Sequence, residues 1–225
     1  MSTIFWAADS TVAFNSIRTY PQTGIGQVFG LFVKSGTEIK NYAINGRSTK
    51  SFLDEGRLDQ IREEIKAGDF LFIQFGHNDE KQADPNRYTD PFGAYKANLN
   101  IYIAAAREAG AYPVLITPLE RRCFEEDGTL GKGEHGDYVK AMRECAEENQ
   151  VPLIDLNAKS RKVLEQAGNE ESKKYYMNLQ PGIYESHPEG LCDNTHLQYA
   201  GAVVFGTCIA QGLKELGGIY QELLL

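Results

Sequence analysis

The sequence predicts an α/β fold in which a parallel β-sheet is covered by helices on both faces. Two observations predict it: short apolar runs alternate with amphipathic segments along the whole chain, and glycines stand where helices would give way to strands. Such alternation produces βαβ units, whose crossovers place helices on both sides of the sheet. A chain of 225 residues is long enough for one buried core, so we expect residues 1–225 to form a single domain.

Five short apolar segments are expected to be the strands of this sheet. They are TIFWA (3–7), IKNYAI (39–44), DFLFIQF (69–75), YPVLIT (112–117) and PLIDL (152–156). Each has the length and the β-branched or aromatic content of a buried strand. In an open parallel sheet, ligands bind at the carboxyl ends of the strands, so the residues that follow these segments are candidates for a functional site.

Amphipathic segments between the strands predict the helices. Residues 50–66 have apolar side chains at three- and four-residue intervals. The other segments of this kind are 92–109, 134–149 and, near the end of the chain, 198–216, which is rich in small residues. Gly68 and Gly110 stand where helix C-caps are expected, because each comes just before a strand. Residues 177–195, ahead of the final helix, are expected to be irregular.

Composition and charge limit the classes of partner. With 23 basic against 31 acidic residues, the formal net charge is −8, which repels phosphate backbones and anionic lipid surfaces. We therefore expect neither nucleic acid nor a membrane as a partner. The N-terminus lacks the basic and apolar regions of a signal peptide, and the four cysteines form no CxxC pair, so a cytoplasmic location with reduced thiols is expected.

Chemically reactive residues follow the predicted strands. Ser10 follows the first strand, Gly46 the second and Asn78 the third, while Asp193 and His196 stand three residues apart before the final helix. A serine hydroxyl needs a base to become a nucleophile, and a histidine held by a carboxylate supplies one. The pattern therefore predicts Ser10 as nucleophile, His196 as general base and Asp193 as the carboxylate that orients it.

The same loops offer donors for the negative oxygen that develops in acyl transfer. These donors are the backbone N–H groups of Ser10 and Gly46 and the side-chain amide of Asn78. Glycine suits position 46, because a bulky Cβ would crowd an amide that points at substrate. Each residue alone also has an ordinary interpretation, since Asp193 can cap the final helix and an Asp-Ser pair commonly forms a turn. Their joint placement on separate loops at one rim favours catalysis.

These residues lie in four blocks that resemble the signature blocks of the SGNH (GDSL-like) hydrolase superfamily. The blocks are ADS, the glycine at position 46, GHND and DNTH, in the family's order. More narrowly, NYAINGRSTKSF and QFGHND resemble the rhamnogalacturonan acetylesterase branch, and the resemblance extends from Ser10 to about Gly206. The sequence departs from the family pattern at Ala8, where the first block usually has glycine.

The resemblance implies a flavodoxin-like three-layer α/β/α sandwich with a five-stranded parallel sheet. It implies Ser10, Asp193 and His196 as catalytic residues. It also implies an oxyanion hole made by Ser10, Gly46 and Asn78, with no metal or organic cofactor. The implied activity is that of a serine esterase, which removes acetyl groups from pectin-derived rhamnogalacturonan oligosaccharides through an acetyl-enzyme intermediate.

Three further residues are candidates for substrate binding. Arg47 can bind a uronic carboxylate or form a salt bridge with Asp79 or Glu80. His77, beside Asn78 in GHND, can line the pocket or organise its own loop, and His187 lies on the stretch before the predicted base.

Three alternative functions stay open. A lipase, thioesterase or acyltransferase would use the same triad on another acyl ester. A metal-dependent hydrolase could use the His and Asp side chains of this rim, although no regularly spaced ligand set is present. A flavin- or nucleotide-binding domain would be expected to have GxGxxG or GxxxxGK[ST], and neither occurs.

Overall fold

A parallel sheet of five strands forms the centre of the protein in a computed structural model that describes residues 2–133 and 135–225. The strands are β1 (Thr3–Ala8), β2 (Glu38–Asn41), β3 (Phe70–Gln74), β4 (Tyr112–Ile116) and β5 (Leu153–Ile154). All neighbours pair in parallel, in the order β2-β1-β3-β4-β5. This is the flavodoxin-like order, so the predicted fold class is confirmed.

Helices of very different length connect and cover these strands. They are α1 (Ile25–Val28), α2 (Thr49–Asp54), α3 (Arg57–Glu64), α4 (Lys96–Glu108), α5 (Gly136–Asn149), α6 (Leu156–Ser172), α7 (Tyr199–Leu216) and α8 (Gly218–Gln221). Single 3₁₀ turns lie at Ile17–Thr19, Phe29–Leu31 and Lys173–Tyr175, and a π-helical turn, Pro91–Tyr95, leads into α4. Over the described residues, none of these helices is both long and apolar enough to cross a bilayer.

Two hydrophobic cores, one on each face of the sheet, make the three layers. Alternate residues of β1 point to opposite faces, so Ile4 and Trp6 join one core while Phe5 and Ala7 join the other. Buried side chains of α1, α6 and α7 complete the first core, and those of α2, α3, α4 and α5 complete the second. Because β1, β3 and β4 are buried on both faces along most of their length, they read as continuous apolar runs in the sequence.

Small residues let α7 approach both the sheet and the 3₁₀ turn Lys173–Tyr175 closely. A Cβ at Gly212 would lie 2.5 Å from the Cγ2 atom of Ile154 in β5, and one at Gly201 would lie 2.0 Å from the carbonyl oxygen of Tyr175. Both distances are well inside van der Waals contact. The small-residue content of the predicted final helix is therefore a packing requirement of the fold.

The helix predicted over 50–66 is two helices, and this expectation was wrong. Gly56 adopts φ 67° between α2 and α3 and ends the first of them. The apolar spacing continues across the break because Phe52 of α2 and Leu58 of α3 pack into the same core. The helix predicted over 134–149 is observed as α5, and Glu134 lies outside the described residues.

Only one of the two predicted glycine caps is observed. Gly110 follows the last residue of α4 with φ 71°, and its N–H donates to the carbonyl of Arg107 at 2.9 Å. Gly68 is not a cap, because α3 has already ended at Glu64 and Gly68 lies in the turn that enters β3.

The stretch expected to be irregular contains an antiparallel β-ribbon. Its strands are β6 (Tyr176–Leu179) and β7 (Leu191–Leu197), and Asp193 and His196 lie on β7 rather than at a helix cap. The polar sequence of β7 has no apolar alternation, because its side chains are mostly half-buried on both faces. The prediction also omitted α6, whose start is marked by Asp155, a side chain that accepts from the N–H of Ala158 at 3.1 Å.

Candidate active site

A cleft of about 390 Å³ opens at the carboxyl edge of the sheet. It brings together residues up to 186 positions apart, from the loops after β1, β2, β3 and β4 and from β7. The residues that line it are Ser10, Asn45, Gly46, His77, Asn78, Lys81, Arg121, Asp193, Thr195 and His196. Five of the residues predicted to meet at this rim, together with His77, thus share one cavity.

Ser10, His196 and Asp193 form a continuous hydrogen-bonded chain. The Oγ atom of Ser10 lies 3.0 Å from Nε2 of His196, and Nδ1 of His196 lies 2.7 Å from Oδ2 of Asp193. An ionised carboxylate can only accept, so Nδ1 carries the proton and Nε2 of the neutral ring is left to accept from the serine hydroxyl. This is the geometry in which a histidine can remove the proton of a serine.

Asp193 is held as an ionised group. Burial opposes its ionisation, but the hydrogen bond from His196 and the backbone N–H groups of His196 and Thr195 lower the pKa of Asp193 to about 2. Those two N–H groups donate to Oδ1 at 3.0 and 2.8 Å and leave Oδ2 to the imidazole. Asp193 is therefore ionised at neutral pH and holds the imidazole of His196 through a charge-assisted hydrogen bond.

The turn after β1 presents the Ser10 hydroxyl. The carbonyl of Asp9 accepts from the N–H groups of Val12 and Ala13, and its buried carboxylate accepts from the N–H and hydroxyl of Thr11, both at 2.9 Å. Ala8, where the family usually has glycine, ends β1 and is not among the positive-φ residues. A methyl group is tolerated there because the strand conformation suits any L-residue.

Position 46 requires glycine because of its backbone conformation, and not because a side chain would lack space there. Its φ is 81°, in the left-handed region that side chains with a Cβ rarely adopt, whereas the nearest atom to an added Cβ would be Nη1 of Arg87 at 3.8 Å. The crowding argument made from the sequence is thus incorrect. Across the described residues, the main-chain N–H groups of Ser10 and Gly46 have no protein acceptor, so both are available to a ligand.

The side chain of Asn78 is fixed at both ends. Its Nδ2 atom donates to the carbonyl of Arg47 at 3.0 Å, and its Oδ1 atom lies 3.4 Å from Nη1 of Arg87. The amide has two N–H groups, and the bond to Arg47 uses one of them. A second N–H is left at the cleft, which is the contribution expected of an oxyanion donor.

Asp79 anchors the loop that carries Asn78. Its carboxylate, fully buried, accepts from the backbone N–H of Thr49 at the start of α2 and from the hydroxyl of Thr89 at 2.8 Å. Burial is the main cause that raises the pKa of Asp79 to about 7. Asp79 therefore links α2 to the loop after β3 through buried hydrogen bonds.

His77 lines the cleft but is 2% exposed, and it belongs to a buried polar cluster beside Asp9. Its Nδ1 atom is 3.3 Å from Oδ2 of Asp9, and its ring packs edge-on against His135 with centroids 4.3 Å apart. His135 in turn lies 2.8 Å from Glu80. Burial first, and then the neighbouring His135, lower the pKa of His77 to about 4, so the ring is neutral at pH 7.

Arg47 and His187, two of the three candidates for substrate binding, are not among the described residues that line the cleft. The guanidinium of Arg47 binds Glu55 at 2.9 Å and the carbonyl of Asn45, so the expected partner, Asp79 or Glu80, was wrong. His187 lies on the loop between β6 and β7, in a bridge with Tyr184, and neither it nor Arg47 is among the described residues that line the cleft.

Arg122 supports β7, the strand that carries Asp193 and His196, and sequence reasoning missed this role. This buried side chain donates to Oδ1 of Asn194 and Oγ of Ser172, both at 3.0 Å, and its N–H donates to the carbonyl of Asn194. It thereby fixes the residue next to Asp193. The only signal in the sequence was the position of Arg122 directly after the fourth strand.

Within the described residues, no three His, Cys, Asp or Glu side chains are grouped so that they could hold a metal ion.

Comparison with known proteins identifies the family of this chain. A model of the GDSL-like lipase/acylhydrolase family matches residues 9–202. Rhamnogalacturonan acetylesterase RhgT of Bacillus subtilis (strain 168) is 43% identical over 216 residues, which are 95% of this chain and 90% of that protein. The probable rhamnogalacturonan acetylesterase YesY of the same organism is 41% identical over 214 residues, 95% of this chain and 93% of that protein.

A solved structure has the same architecture. The crystal structure of the Bacillus subtilis protein YxiM superposes with a TM-score of 0.81 at 27% identity. The match covers 96% of this chain and 57% of that one.

Proposed function

The chain belongs to the GDSL-like lipase/acylhydrolase family of carboxylic ester hydrolases, and from that premise we propose that it is a serine acetylesterase acting on rhamnogalacturonan oligosaccharides. The observation that supports it most is the chain of two hydrogen bonds from Ser10 through His196 to Asp193 at the cleft. The substrate class is supported by the relatives at 43% and 41% identity, which are named for rhamnogalacturonan acetyl esters. Residues 1–225 act as a single domain in this proposal.

Acylation is the first half of the reaction. Nε2 of His196 takes the hydroxyl proton of Ser10 as Oγ attacks the carbonyl carbon of the acetyl group. The carbonyl oxygen becomes negative and accepts hydrogen bonds from the N–H groups of Ser10 and Gly46 and from the side-chain amide of Asn78. His196 then gives its proton to the departing sugar oxygen, and the bond from acetyl carbon to sugar breaks.

Deacylation repeats these steps with water. His196 removes a proton from a water molecule, whose oxygen attacks the acetyl-enzyme carbonyl, and the same three donors stabilise the new oxyanion. The bond to Ser10 Oγ breaks, Oγ recovers its proton from His196, and acetate leaves. His77 cannot replace His196 as the base, because its ring is turned toward Asp9 and His135.

The character of the cleft favours a sugar acetate over a long acyl chain. Asn45, Lys81 and Arg121 line the same cleft as Ser10 and give it amide and charged groups. A lipase or thioesterase needs an apolar groove for its acyl chain.

We expect turnover of p-nitrophenyl acetate that EDTA leaves unchanged, because every step uses side chains of the protein. We also expect a fluorophosphonate to label Ser10, because only an activated serine reacts. Tryptic mass spectrometry would locate the label, with Ser16, an exposed serine six positions away, as the internal control. Loss of activity with EDTA, or labelling at a residue other than Ser10, would refute the proposal.

Replacing Asn78 by alanine is expected to lower kcat by about 100-fold with little change in KM, because the lost donor acts on charge that develops in the transition state. Steady-state kinetics on p-nitrophenyl acetate would measure it. Asn45→Ala is the matched control: it removes a side-chain amide from the same cleft, but one that donates to Oδ1 of Asn15 at 3.1 Å. Equal losses in the two variants would contradict the role of Asn78 as oxyanion donor.

A further inference from the structure

A second cavity, of about 570 Å³, is formed by residues 15–28 after β1 and by Tyr199, the first residue of α7. Its described lining includes none of Ser10, Asp193 and His196, and the proposed reaction makes no use of it. Small-molecule binding sites have volumes of about 300–1,000 Å³. The second cavity is therefore large enough to hold a ligand of its own.

The lining of the second cavity is polar but uncharged. Of its nine described residues, seven carry a hydroxyl or an amide group, and the other two are Ile17 and Val28. No Asp, Glu, Lys or Arg is among these nine, although 24% of the residues in the chain are charged. Hydroxyl and amide groups interspersed with apolar surface suit a ligand that has both hydroxyl groups and C–H faces. A pyranose ring is a ligand of this kind.

Three of the lining residues expose large apolar side chains. Ile17 is 82% exposed, Tyr199 58% and Tyr20 53%. Single exposed apolar residues are ordinary on a protein surface, but a group of them around one concavity is typical of a binding site. A tyrosine presents an apolar ring face together with a polar hydroxyl. In the part of the chain that the structure describes, the hydroxyls of Tyr20 and Tyr199 have no protein partner, so both are available to a ligand.

Contacts with neighbouring segments fix the walls of the second cavity. The ring of Tyr20 packs edge-on against Tyr184, on the loop between β6 and β7, with centroids 5.7 Å apart. Ser186, on the same loop, donates its hydroxyl to the carbonyl of Tyr20. The side-chain amide of Gln27 is bound at both ends by the main chain of Asn15, at 3.1 and 3.3 Å. A site that is already formed loses less free energy to ordering when a ligand binds.

The second cavity adjoins the cleft that contains the reactive serine. Asn15 lines the cavity, Asn45 lines the cleft, and Nδ2 of Asn45 donates to Oδ1 of Asn15 at 3.1 Å. The N–H of Thr23, which also lines the cavity, donates to the carbonyl of Leu197 at 2.8 Å, and Leu197 directly follows the histidine base. A substrate longer than one ring can therefore place its acetyl group in the cleft and extend into the second cavity.

We propose that the second cavity binds a pyranose ring of the substrate chain, a ring other than the one that carries the acetyl ester. The inference rests on the proposed esterase function and adds a second binding site for the sugar chain to it. Tyr20 and Tyr199 present ring faces to the C–H groups of the sugar. The amide of Gln22, which makes no side-chain hydrogen bond within the described residues, is available to its hydroxyl groups.

The first test compares a long substrate, an acetylated rhamnogalacturonan hexasaccharide, with a short one, p-nitrophenyl acetate. For Tyr199→Ala, the ratio of kcat/KM for the hexasaccharide to kcat/KM for p-nitrophenyl acetate is expected to fall about fivefold, because only the hexasaccharide reaches the second cavity. Tyr199→Phe keeps the ring and should retain most of the ratio. Tyr112→Ala, which removes an exposed tyrosine at the opposite edge of the sheet, should match the wild type. An unchanged ratio in Tyr199→Ala would overturn the inference.

A binding measurement separates this inference from the proposed function. Isothermal titration calorimetry with the deacetylated hexasaccharide needs no turnover, and Tyr199→Ala should weaken its binding about fivefold. If the hexasaccharide binds the wild type and Tyr199→Ala equally, or does not bind the wild type, the sugar site is wrong even where the esterase is active. If binding weakens as expected but no acetyl ester is hydrolysed, the proposed function fails and the sugar site stands.

A second copy of the chain is the other occupant that could cover these exposed side chains. The lining favours a sugar, because the core of an interface between identical chains is more apolar than a surface with seven hydroxyl or amide residues in nine. Sedimentation velocity distinguishes the two occupants, and the wild type and Tyr199→Ala are expected to have the same sedimentation coefficient. A wild-type dimer that Tyr199→Ala dissociates would show that the cavity is a contact between copies and would refute the sugar site.

Discussion

Ser10→Ala is expected to lower kcat for acetyl ester hydrolysis by about 10⁴-fold or more, leaving only the contribution of binding and of the oxyanion donors. The reason is structural: the hydroxyl lies 3.0 Å from Nε2 of His196, and alanine leaves no atom there to form the acetyl-enzyme. Stopped-flow kinetics on p-nitrophenyl acetate would also show the disappearance of the burst that acylation produces.

The matched control for this variant is Ser16→Ala. Ser16 is an exposed serine whose Oγ accepts from the N–H of Arg18 at 3.3 Å, and it is not among the described residues that line the cleft. It should keep the wild-type rate. Circular dichroism of Ser10→Ala should be that of the wild type, since only one oxygen is removed. A Ser10→Ala protein that is folded and turns over at the wild-type rate would eliminate the serine mechanism.

Asp193→Asn is expected to lower kcat by about 10⁴-fold, the size of effect found for the equivalent change in serine proteases. An asparagine amide can donate to Nδ1 of His196, which leaves the proton on Nε2. That tautomer cannot accept the proton of Ser10, although the ring stays in place. KM should change little, because Asp193 orients the base rather than the sugar.

The control for Asp193→Asn is Asp127→Asn. Asp127 makes the same local contact, since its Oδ1 accepts from the N–H of the residue two positions on, Thr129, at 2.9 Å. It is exposed on a loop and should keep full activity. A comparable loss in both variants would show that the effect comes from the turn and not from the imidazole.

The difference in stability between the wild type and Asp193→Asn should also depend on pH. Because the folded pKa of Asp193 is about 2, below its ordinary value of 3.8, the carboxylate stabilises the folded state above about pH 4. That stabilisation is lost as pH falls toward 2. The difference in Tm between wild type and Asp193→Asn should therefore narrow from pH 5 to pH 2.5. A constant difference over that range would show that Asp193 is not held ionised in the folded protein.

The sheet could be predicted because its signal is local. Strands β1, β3 and β4 are apolar on both faces and short, so each stands out from its neighbours. The ribbon of β6 and β7 could not be predicted in this way, because β7 has a polar, half-buried sequence. It is a strand because it pairs with β6, whose residues are twelve or more positions away along the chain. The break between α2 and α3 could not be predicted either, because both helices pack into one core and their apolar residues continue with the same helical spacing across the break.

What the sequence by itself determined is the identity of the reactive side chains: a serine, an aspartate and a histidine in short blocks after predicted strands, with a glycine and an asparagine beside them. Side-chain identity is written in the chain, and parallel strands bring their carboxyl ends to one edge whatever the loops do. Only the tertiary structure decided which cations are available. Arg47 pairs with Glu55, and Arg121 with Glu80, while Lys81 faces the cleft. Ion pairs depend on distances of a few ångströms between loops, and spacing along the chain does not specify such distances.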